Sequence, residues 1–414
     1  MKDVKSRVNK SRYLNNIALS IREGKLLICE RKIDEILKDY STPLYIFSED
    51  QIRENCRNLK NMLKKHFKKF CIYYSYKTNY LDDVCRIVSE EGLGAEVVSL
   101  GELSRARKWA PNNIIFSGIY KPDYILRYLV RNKVNFIAIS SLNEFLRVNK
   151  YFADINEIQP IAIRIKSKGF GGFSGIEYTD ENFNKILDLL SKSENLRFEM
   201  LHYHAGTQIL KNTTRIKHLE FILNIMQKFE EFGYSIPRLN LGGGFPEAGI
   251  IPHSELEKYF TYLKVRLNEN FNDLEIIFEP GRYIVGNTGF LLTKIEDYLT
   301  ISNENWVLVD AGDHILPKAS KSNFRFVFSD KMDQPHKNKV SIKGCLPTDI
   351  DILAKNYPAP SNIQRGDIIV VANAGAYVLT WSYKFSFPSP AVLLMNKIYI
   401  KELIPEGNKF DLHY

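Results

Sequence analysis

No CxxC pair, no run of eighteen apolar residues, no low-complexity tract and no internal repeat occurs in the 414 residues. Each absence excludes something. The five cysteines, Cys29, Cys56, Cys71, Cys85 and Cys345, are scattered and odd in number. That argues against a disulfide framework and a zinc site, and for a reducing compartment. Without a long apolar run, no membrane span is expected. The basic start MKDVKSRVNKSRYLNN has neither an apolar core nor a small-residue cleavage site. It reads as a frayed cytoplasmic start, not a signal peptide.

Charge of one sign is not concentrated either. The net charge is +9, yet the basic runs KKHFKK (64–69) and KASKSNFR (318–325) are short. Solvated faces are the ordinary reading of such runs, with attraction of anions, phosphates included, as the functional one. A nucleic-acid partner is not expected.

The length suits one large domain with a smaller one, and the 44 % of apolar residues suffices for a sizeable core. Short apolar runs alternate with amphipathic segments between residues 43 and 300. The runs are CIYYSYK (71–77), AEVVS (95–99), NIIFSG (113–118), NFIAIS (135–140), PIAIRI (160–165), RFEMLHYH (197–204), RLNLGG (238–243) and EIIFEP (275–280). Such runs suit strands buried on both faces. Eight of them with helices between predict an α/β fold, a closed parallel (β/α)8 barrel. A helix over 48–67, capped by Ser48, precedes them.

After about residue 290 the runs are strand-like without long helices between them, which predicts a β domain. IALSIREGKLLIC (17–29) is strand-like too. The expected organisation is therefore an N-terminal segment (1–41) packing with the β domain, a barrel (42–292) and a C-terminal β domain (293–414).

Active sites of such barrels lie at the C-terminal strand ends. Polar and glycine residues collect there: Lys77, Gly101-Glu102, Ser117-Gly118, Ser140-Ser141, Arg164, His204 to Thr207, Gly242–Gly244, and Glu279 to Arg282. A strand-end lysine is ordinarily surface, but one in a barrel mouth can form an imine with an aldehyde. His204 reads equally as a satisfied core histidine, and Glu279 with Arg282 as a strand-end salt bridge. The glycine triplet is either a tight loop or a phosphate cradle. It lacks the GxGxxG spacing of a dinucleotide site.

The motifs YYSYKTN, GAEVVSLGEL, HYHAGTQI, LNLGGGFP, FEPGRYIVGNTG and NAGAYVL together resemble the fold type III PLP-dependent decarboxylases, the group of diaminopimelate, ornithine and arginine decarboxylases. The resemblance runs from about residue 42 to about 395. It implies a barrel holding pyridoxal 5'-phosphate, a β domain, and a homodimer with shared sites. By resemblance, Lys77 holds the cofactor covalently and His204 stacks on its ring. Glu279 pairs with the pyridine nitrogen, a role that favours decarboxylation over racemisation. Thr207, the backbone at Gly243, Gly244 and Gly281, Arg282 and Tyr377 hold its phosphate, and Arg164 belongs to the same cofactor set.

The chain also departs from that pattern. The segment GCLPTDID (344–351) places Pro347 where the family's proton-donating cysteine stands. Cys345, Asp349 or water remain as donors. Thr348 replaces the family's acidic residue. In ILPKAS (315–320), Leu316 and Ser320 replace the arginine and tyrosine that read a distal carboxylate. Diaminopimelate is therefore not the expected substrate; an amino acid with a different or conjugated distal end is, with Arg282, Thr348 and Asp349 as substrate contacts. A siderophore or other secondary-metabolite pathway fits. The alternatives are a PLP-dependent racemase or epimerase, and a non-catalytic PLP-binding protein. No metal is expected. The Gly-rich KSKGFGGFSGIEYT (166–179) reads as a lid or as a plain surface loop.

Overall fold

The computed structural model describes residues 16–169, 174–271, 273–383 and 385–407. The basic start (1–15) and the centre of the Gly-rich segment (170–173) lie outside the described residues, and with them the readings placed there. The chain divides into two compact units. One comprises Asn55–Pro246 and Ile250–Tyr283; the other comprises the described residues within Met1–Glu54, Glu247–Gly249 and Ile284–Tyr414.

The first unit is the barrel. Its eight parallel strands are Phe70–Ser75, Gly94–Val97, Ile114–Phe116, Phe136–Ile139, Gln159–Lys166, Leu196–Tyr203, Arg238–Asn240 and Glu275–Phe278. Each pairs with the next, and the eighth returns to the first through Ile276 beside Phe70. All eight expected runs form these strands, and a helix follows each of the first seven.

Alternation of side chains along a strand decides what fills the barrel. Tyr73, Ile115, Phe136, Ala138, Ala162, Met200 and Ile277 form one buried cluster. Two residues further along the same faces come Ser75, Ser117, Arg164, His202 and Glu279. The interior is thus apolar at the strand starts and polar at the strand ends.

The first long helix, Glu49–His66, starts as expected at Ser48, whose Oγ accepts from the Gln51 N–H at 3.2 Å. Two later helices open with matching capping boxes. Ser99 Oγ accepts from Glu102 N while Glu102 Oε2 accepts from Val98 N. Ser141 Oγ accepts from Glu144 N while Glu144 Oε2 accepts from Ser140 N. Both boxes fasten a strand end to the helix after it.

The second unit is mostly sheet. Its central strand, Gly289–Ile301, pairs with Leu44–Ser48, Ile368–Ala372 and Glu304–Val309. Leu44–Ser48 was expected at the start of the barrel. It lies in this sheet instead, between Gly289–Leu292 and Ala391–Met395, with all five residues buried. The barrel already closes with eight strands from Phe70 onward, so it offers this strand no edge. The N-terminal hairpin packs here: Leu26 and Ile28 share a core with Ile46, Val327 and Val370. Ile352–Ala359 was not expected as a strand. Its mostly half-buried or exposed residues reflect an edge position: among the described residues it pairs with Asn338–Lys343 alone. Among the described residues, no helix is long and apolar enough to cross a membrane.

Candidate active site

At the end of the first barrel strand the chain turns through Tyr76–Thr78. Lys77 leaves this turn with 39 % of its side chain exposed, and its ammonium meets the buried carboxylate of Glu96 from the second strand. The other oxygen of Glu96 receives the Ser117 hydroxyl from the third strand. Three consecutive strands thereby share one hydrogen-bonded chain.

Across the mouth sits Glu279, 6 % exposed. Asn240 Nδ2 donates to its Oε1 at 2.7 Å, and His202 Nε2 stands 3.5 Å from its Oε2. Burial alone would raise this carboxyl. The His202 ring, the Lys77 charge and the Asn240 amide outweigh burial and hold it well below the usual carboxylate range. Glu279 is therefore ionised at neutral pH.

His204 behaves in the opposite way. Burial, and then the positive charge of Arg164, push its imidazole down to about 3. It is a neutral ring at any working pH. Its Nδ1 accepts from the Gly243 N–H at 3.3 Å, so the seventh strand's glycine loop fixes the ring's orientation.

The glycines are there for space. At Gly244 (φ +84°) a Cβ would stand 2.8 Å from the Gly206 carbonyl, and at Gly281 it would collide with the Thr78 hydroxyl. Arg282, 5 % exposed, opens the short helix Arg282–Val285. Thr207 is exposed in the loop after the sixth strand. Arg164 Nε and Thr78 Oγ1 have no hydrogen-bond partner among the described residues.

Lys77, Arg164, His204, Thr207, Gly243, Gly244, Glu279 and Gly281 thus all belong to strand ends of the barrel unit. Cys345, Thr348, Asp349 and Tyr377 belong to the second unit. There, Asp351 is fully buried and accepts from Leu346 N and Asp313 N, each at 2.7 Å. These bonds hold the 344–351 loop. Pro347 and Asp349 are exposed and Thr348 half-buried. The half-buried Cys345 thiol is pushed up to about 12 by burial and by Asp351. Tyr377 sets its ring against Trp381, centroids 6.5 Å apart.

Sequence reasoning missed Glu96, Ser117, His202 and Asn240 as a connected set. The signal was present. His202 shares a face with His204 at a spacing of two, and Glu96 and Asn240 are polar residues inside short apolar runs. Only the closed barrel brings them to one mouth.

A lysine beside a carboxylate, a neutral imidazole, an ionised buried acid and side-chain-free backbone suit a small anionic cofactor with a reactive carbonyl and a ring nitrogen. These features define a barrel enzyme that handles amines through such a cofactor. Residues 49–286 match the family described as pyridoxal-dependent decarboxylase, pyridoxal binding domain, and the chain belongs to that family. It is a pyridoxal-phosphate-dependent amino-acid decarboxylase, a carboxy-lyase.

The chain is 27 % identical to diaminopimelate decarboxylase of Aquifex aeolicus, over 96 % of each chain. It is 26 % identical to the L-glutamyl-[BtrI acyl-carrier protein] decarboxylase of Niallia circulans, over 88 % of this chain and 91 % of that one. The crystal structure of diaminopimelate decarboxylase from M. jannaschii superposes with a TM-score of 0.87 at 22 % identity, covering 96 % of this chain and 97 % of the other.

Proposed function

We propose that the enzyme decarboxylates an amino acid with an altered or conjugated distal end, and not diaminopimelate. The observation that carries this reading is Leu316. It stands where the resemblance puts an arginine for a distal carboxylate, and it is buried, 1 % exposed. Ser320, in place of the tyrosine, is 2 % exposed. A site built to pair with a charged group rejects analogues lacking it; a site without the pair has no such preference. The Niallia relative, whose name describes a carrier-bound glutamyl substrate, supports a conjugated amino acid. A siderophore or other secondary-metabolite pathway fits a substrate of this kind.

Pyridoxal phosphate, when bound, supplies an electron sink for the pair left by the departing carboxylate. The chain's residues would contribute as follows. Lys77 supplies the amine that holds the cofactor, and Glu96 accepts and returns protons at Lys77 Nζ. Glu279, kept ionised by His202 and Asn240, keeps the ring nitrogen protonated. His204, neutral, would stack against the ring without adding charge. Gly243, Gly244 and Gly281 leave room for phosphate, with Arg164, Thr207, Arg282 and Tyr377 as its further holders. Arg282, Thr348 and Asp349 contact the substrate. Cys345 returns a proton to the product carbon as a thiol, the form its environment favours. We further propose a homodimer, measurable by light scattering.

The test is CO2 release from purified holoenzyme with meso-diaminopimelate, lysine, ornithine, arginine, glutamate and their amide or carrier-protein conjugates. Turnover of a conjugate or non-diamino acid in preference to diaminopimelate is expected. A kcat/KM highest for diaminopimelate would refute the reading.

A further inference from the structure

We propose that the barrel carries a second binding site at its opposite end, for a phosphorylated small molecule with an apolar or aromatic body. The active site lies at the strand ends. At the strand starts, a cavity of about 610 Å³ opens where Glu49–His66 turns into the first strand and His253–Asn270 turns into the eighth. That volume falls within the range of roughly 300–1,000 Å³ usual for small-ligand sites.

Lys64, Lys65, Lys68, Lys69 and Lys264 line it, against one lining acid, Asp273. Two lysines are compensated: Lys65 by Glu257 and Lys69 by Asp273, each at 2.6 Å. Lys64, Lys68 and Lys264 have no ion pair with any described residue. Like charges gathered in one concavity repel, and a multivalent anion is the ligand that relieves the repulsion.

The ordinary explanation of such lysines is that they complement the negative end of a helix. It covers Lys64 and Lys65, which lie in the last turn of Glu49–His66. It does not cover Lys68, which follows the helix, nor Lys264, which precedes the last turn of its own helix, where no basic residue stands. The run KKHFKK alone reads as a solvated face. The fold adds a further lysine from a distant segment to the same concavity.

The floor is apolar. Phe67, Leu267 and Phe271 are 5–8 % exposed, and His66 sets its ring beside Phe67 and Phe260, centroids 6.2 and 6.1 Å away. Burial first, then Lys264 and Lys65, lower the His66 imidazole against the opposing pull of Glu257. It therefore presents a neutral flat edge rather than another cation. A cationic rim over an aromatic floor matches a nucleotide-like ligand better than a bare inorganic anion.

Calorimetric titration of the holoenzyme with ADP and with inorganic pyrophosphate tests this. ADP is expected to bind more tightly than pyrophosphate, and more weakly as salt is raised. The triple variant Lys64→Ala/Lys68→Ala/Lys264→Ala, altered only at exposed positions, is expected to lose at least tenfold in ADP affinity while keeping its decarboxylase activity and melting temperature. No heat with millimolar ADP, or equal ADP affinity in the folded variant, overturns the site. Pyrophosphate binding as tightly as ADP overturns the assigned apolar body.

Discussion

Asn240 joins the acid of the active site to the glycine loop beside it: its Nδ2 donates to Glu279 Oε1 at 2.7 Å while its Oδ1 accepts from Gly242 N at 2.8 Å. The amide has no freedom to rotate without losing both bonds. Replacing Asn240 by Leu removes a hydrogen bond to a charged acceptor, worth about 1.5–3 kcal/mol. The bond favours the ionised form, so its loss shifts the Glu279 carboxyl upward. A roughly ten- to hundredfold fall in kcat is expected, at about 1.4 kcal/mol per factor of ten. The acid limb of the pH–rate profile should move to higher pH. An unchanged limb would mean that Glu279 is held ionised by His202 and Lys77 alone.

Glu96 bridges Lys77 and Ser117. Glu96→Gln keeps the shape and the bond to Ser117 but removes the charge opposite Lys77. Positioned proton transfer contributes about 10²–10⁴-fold, so a loss of roughly a hundredfold in kcat is expected, with KM changed much less. Steady-state kinetics of the variant check this. Equal losses for Glu96→Gln and Ser117→Ala would assign the effect to geometry rather than to charge.

Glu102 is raised to about 7, chiefly by burial and then by the neighbouring Glu96, against the pull of the Val98 N–H, Lys77 and Arg105. A carboxyl raised in the folded state holds its proton longer than in the unfolded state. The unfolded chain therefore gains the advantage as pH climbs from about 4.3, the ordinary glutamate value, to about 7. Relative to Glu102→Gln, the wild type should lose up to about 4 kcal/mol of stability across that window, and nothing further above it. Urea unfolding of both proteins at several pH values between 4 and 8 measures the difference. A constant difference would show that Glu102 titrates normally.

Lys121 and Glu144 form a fully enclosed ion pair between the loop after the third strand and the capping box after the fourth, with side-chain exposures of 0 % and 6 %. Arg147 donates to the Lys121 carbonyl from the same helix. Removing one partner strands a buried charge, at a cost of about 3–5 kcal/mol, whereas removing both can be nearly neutral. Lys121→Met should therefore be more destabilising than Lys121→Met/Glu144→Gln. Denaturation midpoints of the two variants decide the matter.

Much of the barrel was legible because its physics is local. Eight apolar runs with helices between them have few ways to bury both faces, and the alternation within RFEMLHYH or EIIFEP already places His204 and Glu279 at strand ends. The edge strand Ile352–Ala359 was not legible, because an edge needs only one partner and no apolar pattern. Nor was the placement of Leu44–Ser48. Its buried, apolar sequence fits any central strand, and only the closure of the barrel elsewhere excludes it from there.

Sequence alone determined the alternating architecture and the polar character of one end of the barrel, because side-chain period and chain order fix both. Tertiary structure alone decided which polar groups meet. Glu96 opposes Lys77 across nineteen residues, and Glu279 meets Asn240 and His202 across thirty-nine and seventy-seven. Such pairs depend on strand register and barrel closure, which no local pattern records. The same holds for charge state. His204 is neutral and Glu279 ionised because of what surrounds them, and their surroundings exist only once the barrel is closed.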